Sequence, residues 1–305
     1  MSEHKTSIGG QALIEGVMMR GPKTTAMAVR NPKGELVVEK WDTIGQKRAK
    51  LLKAPFIRGI FNMIDSMRFG YKCLMRSAEI AGFEEENKDD KKQGFIMGLL
   101  MTLSVILAVI LSVGLFIYLP AQLFDWLIGG KVAFLDTNVG RSVFEGVFRI
   151  IIFLGYMLSM LLMKDIRRTF MYHGAEHKTI FCYEAGDEIT TENVKKQKRF
   201  HPRCGTSFLI LVLLVGIFVS MFIPKDLATP IRVLVKLLTL PIIVGIGYEL
   251  IKFAGRKNNI VTKIISAPGM WLQHITTIEP DDDMIETAIV ALENVLTGNK
   301  EDDEW

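Results

Sequence analysis

The chain has 305 residues, a formal net charge of +4, 49% hydrophobic residues and a positive mean hydropathy of +0.27. Its apolar residues crowd between positions 94 and 254, which ranks a membrane class above a globular one. Basic residues gather beside the apolar runs rather than in a patch of their own, which excludes nucleic acid as a partner; Cys73, Cys182 and Cys204, an odd number at unrelated spacings, exclude a disulfide framework.

The first residues, MSEHKTSIGGQALIEG, lack a cationic stretch followed by an apolar core, so no cleavable signal peptide is expected. Residues 1–93 read as a small cytosolic α+β unit. Glu15 and Arg20 stand amid Gly9, Gly10, Gly16 and Gly21, a glycine density that suits tight turns, either at a ligand or simply at the start of the β unit. A hairpin follows over residues 24–41, turning at Asn31-Pro32-Lys33-Gly34. Over residues 54–80, Ile57, Ile60, Phe61, Ile64, Met67, Tyr71, Leu74 and Met75 form a helical stripe flanked by Arg58, Arg68, Lys72 and Arg76. Such a basic amphipathic helix lies on an anionic leaflet or packs on the protein's own core. EEENKDDKK is a solvated linker into the membrane domain.

The membrane domain, 94–254, carries four expected spans near residues 95–119, 144–163, 207–224 and 233–251. Glu145 and Arg149, at the start of the second, are assigned to the interface. In the fourth, Pro241 predicts a kink, and Gly245 with Gly247 lets a neighbour approach. The loop 164–206 carries Lys164, Arg167, Arg168, Lys178, Lys195, Lys196, Lys198, Arg199 and Arg203, whereas the loops on the other side offer mainly Lys131, Arg141, Lys225 and Arg232. Positive charge on one side makes that loop and both termini cytosolic, giving a multi-pass protein of the cell membrane. Residues 255–305 form a cytosolic segment. In it Asp281 to Asp283 cap an amphipathic helix bearing Ile285, Ile289, Leu292 and Leu296, and the acidic tail NKEDDEW is loose.

The chemistry concentrates in the central loop, which holds three of the five histidines and two of the three cysteines. His173, Glu176 and His177 have the H-x-x-E-H spacing, the reverse of HExxH. On a helix the two His share a face and chelate one divalent metal, zinc by preference, while Glu176 polarises water. The bland alternative is a pair of histidines hydrogen-bonded at the interface. Two His make a poor zinc site, which takes three or four protein ligands. His201 and Cys204, in FHPRCG at the other end of the loop, supply the rest, with His201 ranked first as third ligand and Cys204 next. Cys182 fits a small buried apolar residue. His274 and Glu279 are weaker candidates.

The segments GGQALIEGVMMRGP, YHGAEHKTI, HPRCGTSF and LQHITTIEPDDDMIE, in this order, resemble the YqhQ-like bacterial membrane proteins over almost the whole chain. The resemblance implies a plasma-membrane protein with a domain of unknown function, sometimes described as a metal-dependent enzyme. The position of His274 is often basic in that family, which argues against a ligand role there. Two functions follow. One is a zinc-dependent hydrolase acting at the cytosolic interface on a membrane protein, peptide or lipid. The other is a non-enzymatic membrane scaffold or assembly factor, in which the cluster is a structural metal clip or a polar network. The lipid bilayer is a partner in both, and a homo-oligomer is open to either. A closed four-ligand site favours the scaffold, because catalytic zinc keeps a position for water.

Overall fold

The computed structural model describes residues 5–43, 54–83, 91–256, 259–298 and 300–303. Residues 84–90 of the expected linker and 299, 304 and 305 of the expected tail lie outside this set. Helices dominate, with one small antiparallel sheet near the N-terminus. The chain divides into two compact units: Met1–Glu84 with Leu158–Leu211 and Gly245–Trp305, and Glu85–Met157 with Val212–Val244.

In the first unit Gly9–Leu13 (β1), Gly16–Arg20 (β2), Thr24–Arg30 (β3) and Leu36–Asp42 (β4) make a meander in the order β1-β2-β3-β4. The hairpin expected at 24–41 is its second half. The first half is masked in sequence by glycine, which is depleted from strands. Ile14 and Glu15 form the two-residue β1–β2 loop, with Glu15 at φ 50°. Glu15 accepts two hydrogen bonds from Arg168, both 2.6 Å, so this side chain anchors the turn.

Both faces of the sheet are covered, which is why β3 reads as a continuous run rather than an alternation. Leu13, Met18, Met27 and Val29 pack with Cys73 of helix α1, Ile57–Ile80. Val17, Met19, Ala26 and Ala28 pack on the other side against α5, Lys164–Ala185, and α10, Asp282–Glu293. The fully buried Tyr172, Met284, Ile285 and Leu292 close this core, each worth about 1.5–3 kcal/mol of burial. On α1 it is Gly59, Gly70, Cys73, Ser77 and Ala78 that are buried, and most of the expected apolar stripe, including Met67 and Tyr71, is exposed. Helix α6, Thr191–Lys196, follows α5.

Helix α9, Ile260–Thr276, was not expected; Pro268-Gly269 reads as a break, yet an Asn259–Thr262 capping box starts the helix and it runs on past the proline. Asp281 stands at the N-cap of α10 without a side-chain cap bond, so the acidic triplet acts instead through Asp282 and Asp283 in the first turn, facing the positive end of the helix dipole. α10 stops at Glu293, and Leu296 packs against the core from beyond its end. The tail is not wholly loose: residues 300–303 form a 3-10 turn whose Asp303 accepts a 2.6 Å hydrogen bond from the Tyr183 hydroxyl.

Among the described residues, three helices are long and apolar enough to cross a membrane: Gly98–Leu127, Asn138–Met160 and Thr229–Gly255. The first comprises α2, Lys91–Val113, a π-turn at Gly114–Tyr118 and α3, Leu119–Leu127; the second is α4; the third belongs to α8, Thr229–Arg256. The segment expected at 207–224 is the shorter apolar α7, Gly205–Ser220. Glu145, expected at the interface, is 1% exposed and held by Arg141 Nε at 2.9 Å, by Lys236, and by Arg232 at 3.6 Å. Arg149 Nε donates to the Phe116 carbonyl at 2.8 Å. In the first unit, Glu249 pairs with Arg58 Nε at 2.8 Å, and the neighbour admitted by Gly245 is the Phe56 backbone, whose oxygen lies 2.9 Å from where a Cβ would stand.

Candidate metal centre

Helix α5 is a helix in its own right, separated from α4 by the turn at 161–163. Its Gly174 is needed where the chain after α9 crosses it: a Cβ there would lie 2.1 Å from the Ile278 carbonyl oxygen. That crossing brings the end of α9 to the site. The His173 Nδ1 lies 2.8 Å from the Thr276 carbonyl, and the His177 Nδ1 lies 2.5 Å from the Arg199 carbonyl. A carbonyl only accepts, so each Nδ1 carries a proton and each Nε2 is the nitrogen left to face a metal. This is how metal-binding histidines are commonly oriented.

His173 Nε2 is 3.1 Å from Cys204 Sγ, and the ligand atoms of His173, His177 and Cys204 all lie within 4.8 Å of one another. His177 Nε2 is buried with no hydrogen-bond partner, a cost of about 1–3 kcal/mol that a metal ion would remove. Cys204 immediately precedes α7, and its sulfur accepts the Thr206 amide at 3.4 Å. Burial alone would raise its thiol, but His173 and His177 outweigh burial and hold it well below the ordinary value. Burial likewise opposes charge on His173, yet Cys204 prevails and raises that imidazole to about 9.

Glu176 lies between the rings, its Oε2 3.8 Å from His173 Nε2 and 4.0 Å from His177 Nε2. Burial pushes its carboxyl up, against the pull of His177 and His173. Gly10 makes room for it, since a Cβ at Gly10 would stand 2.7 Å from Glu176 Cγ. A cavity of about 310 Å³ is lined by His173, Glu176, His177 and Cys204 together with β1 residues.

His201 lines the same cavity, but its ring turns to a second group. Its Nε2 is 3.6 Å from Glu184 Oε2 and 3.3 Å from Arg203 Nη2, while Arg203 and Glu184 form a buried ion pair. The structure therefore brings His173, Glu176, His177 and Cys204 together and sets His201 beside them. His274 is exposed and stacked on Phe200 at 4.3 Å, and Glu279 pairs with Lys178. Cys182 is fully buried in the core. Sequence reasoning passed over Gln273, whose side-chain amide exchanges two 2.7 Å hydrogen bonds with the His201 backbone. It also passed over Glu184 and the carbonyls of Thr276 and Arg199. Carbonyl ligation leaves no sequence signal; Gln273 lies inside the LQHITTIEPDDDMIE segment, and only that segment marked it.

No solved structure matches the chain. Residues 54–298 match the family described as "Protein of unknown function (DUF1385)". The "Uncharacterized protein YqhQ" of Bacillus subtilis (strain 168) is 33% identical over 306 residues, covering 97% of this chain and 95% of that protein. The match takes in every residue of the His-Cys cluster and spans nearly the whole length of both proteins, and on it the chain belongs to the YqhQ-like DUF1385 family.

Proposed function

We propose that this protein is a membrane-embedded, zinc-dependent hydrolase whose ligands are His173, His177 and Cys204 and whose general base is Glu176. The observation that carries the proposal is the convergence of three ligand atoms within 4.8 Å, beside a carboxylate and on a cavity. Two imidazole nitrogens and one thiolate suit zinc. A closed structural clip needs a fourth ligand, and the His201 ring is engaged by Glu184 and Arg203 instead. Three ligands leave a position for water, which favours catalysis over the scaffold reading.

Zinc supplies a water acidic enough to ionise near neutral pH. Glu176, its carboxyl raised by burial, would serve as the base that takes a proton from water and returns it to the leaving group. The Thr276 and Arg199 carbonyls hold the two rings in the ligating tautomer throughout.

Four spans are supported by parity. Met1–Glu84, Leu158–Leu211 and Gly245–Trp305 share one compact unit, and His173 bonds Thr276 across two of these segments. The chain between successive segments must leave and return on one side of a bilayer, so each excursion makes an even number of crossings. Gly98–Leu127 and Asn138–Met160 make the first pair; α7 joins Thr229–Gly255 in the second. The basic loop 164–206 supports a cytosolic side for this unit and for both termini.

The test is metal analysis of the purified protein. Wild type is expected to carry about one zinc per chain, His173→Ala and Cys204→Ser to lose it, and Glu176→Gln to keep it while losing turnover. Wild type without stoichiometric metal, prepared without chelator, removes the basis of the proposal.

A further inference from the structure

We propose that the substrate is an extended polypeptide segment with apolar side chains, seated by addition to the outer edge of β1. This rests on the hydrolase reading above and narrows its substrate. Among the described residues β1 pairs with β2 alone. A two-residue loop makes Leu13 and Gly16 a hydrogen-bonded pair, and alternation along the ladder then turns Gln11 and Gly9 toward β2. Gly10 and Ala12 therefore aim their amides and carbonyls outward. The Gly10 amide lies on the side of Glu176, and the Gly10 carbonyl with both Ala12 groups is left to a partner strand.

That edge is part of the site. Gly10 and Ala12 line the same cavity as His173 and Cys204, with Ile8 and Ile180 as an apolar wall. Gly9 and Gly10 are exposed, and a Cβ added at Gly10 would stand 2.7 Å from Glu176 Cγ. An added strand lies about 4.8 Å from its neighbour, so its backbone passes beside the carboxylate. A lipid ester in this position would leave the outward amide and carbonyls of β1 buried and unpaired; a peptide satisfies them and puts alternate side chains on the apolar wall. In the reaction, water adds to the peptide carbonyl carbon as its proton passes to Glu176. The C–N bond then breaks, the proton goes to the departing nitrogen, and one carboxylic acid and one amine result from one water, settling as carboxylate and ammonium.

The test uses the full-length zinc-loaded protein in lipid nanodiscs. The probes are quenched-fluorescence octapeptides with Leu, Val, Phe and Ala around the centre, the same peptides N-methylated at alternate amides, and p-nitrophenyl acetate. Cleavage is expected with wild type and not with Glu176→Gln. Methylating the set of amides that faces β1 is expected to lower kcat/KM about tenfold or more, and methylating the other set much less. Ala12→Pro, which removes an outward amide, should lower peptide kcat/KM by about the same factor at equal zinc content; the methylated peptides give the same answer with an unaltered protein. Glu176-dependent hydrolysis of p-nitrophenyl acetate without cleavage of any peptide overturns the inference and leaves the hydrolase standing. So does equal cleavage of methylated and unmethylated peptides. A wild-type protein without zinc overturns both.

Discussion

At the scale of single residues, the two neighbouring glycines of β1 separate fold from chemistry. A Cβ added at Gly9 meets nothing within 4 Å, so Gly9→Ala is expected to stay within about 0.5 kcal/mol of wild type. At Gly10 the same methyl would stand 2.7 Å from Glu176 Cγ and 2.8 Å from the Met18 carbonyl oxygen. One of those neighbours is backbone in the middle of β2 and cannot give, so Glu176 must. Gly10→Ala is therefore expected to cost about 1–3 kcal/mol in thermal unfolding and to lower turnover at least tenfold, with zinc content unchanged. Glu184 gives a pH-dependent counterpart. Burial would raise its carboxyl, but the His201 hydrogen bond and the Arg203 charge outweigh burial and hold it below the ordinary value. A depressed carboxylate stabilises the fold above its unfolded value of about 4.3, and that contribution disappears as pH falls through the lower folded value. Glu184→Gln, which removes the carboxylate charge beside Arg203, should cost about 3 kcal/mol at neutral pH. The gap in Tm between the two proteins should close on acidification below about pH 4; a gap independent of pH would contradict the pairing.

At the scale of elements, the site is a meeting of α5, the loop before α7, and α9. α9 holds the other two. Its last turn offers the Thr276 carbonyl to His173, and its Gln273 amide clasps the backbone of His201, three residues before Cys204. Gln273→Leu leaves that buried amide and carbonyl without partners and frees the Cys204 loop. Zinc affinity, measured by chelator competition, should drop about 10–100-fold, the usual effect of losing an outer contact to a metal site. This dependence marks the limit of what the sequence discloses. The spacing of His173, Glu176 and His177 is a local property of one helix, so it is legible, and the basic loop and apolar runs are legible for the same reason. Whether His201 or Cys204 completes the set depends on how α9 and Glu184 orient the loop, and those contacts span up to 72 residues. The first hairpin was hidden because Gly10 serves the site rather than the strand. α9 was hidden because Pro268-Gly269 has the composition of a turn, while Gly269 lets the backbone approach within 2.7 Å of the Ser207 Cα from where its Cβ would stand.

At the scale of the molecule, the weakest member of the membrane set decides the topology. α7 has 16 residues, about 24 Å at 1.5 Å per residue, against a hydrocarbon core of about 30 Å. Length alone would leave three spans. Three spans, however, would carry the chain after α8 to the side opposite α5, although α10 and α5 share one hydrophobic core and His173 bonds Thr276. A core cannot be divided by a bilayer, so we propose that α7 crosses as well, its short length met by local thinning at a fraction of a kcal/mol per Å. The turn after α7 leads through Pro224 and Lys225 to Arg232, whose Nη1 bonds the Pro224 carbonyl at 2.7 Å. Polar groups are therefore gathered where α7 ends and α8 begins, as at an aqueous boundary. Alkaline phosphatase, active only outside the cytosol, distinguishes the two topologies when fused at successive positions. Fusions after residues 132 and 225 should be active, and fusions after residues 200 and 298 inactive. If α7 does not cross, the fusion at 225 becomes inactive and the one at 298 active, and the shared core of α5 and α10 would then have to be abandoned with it.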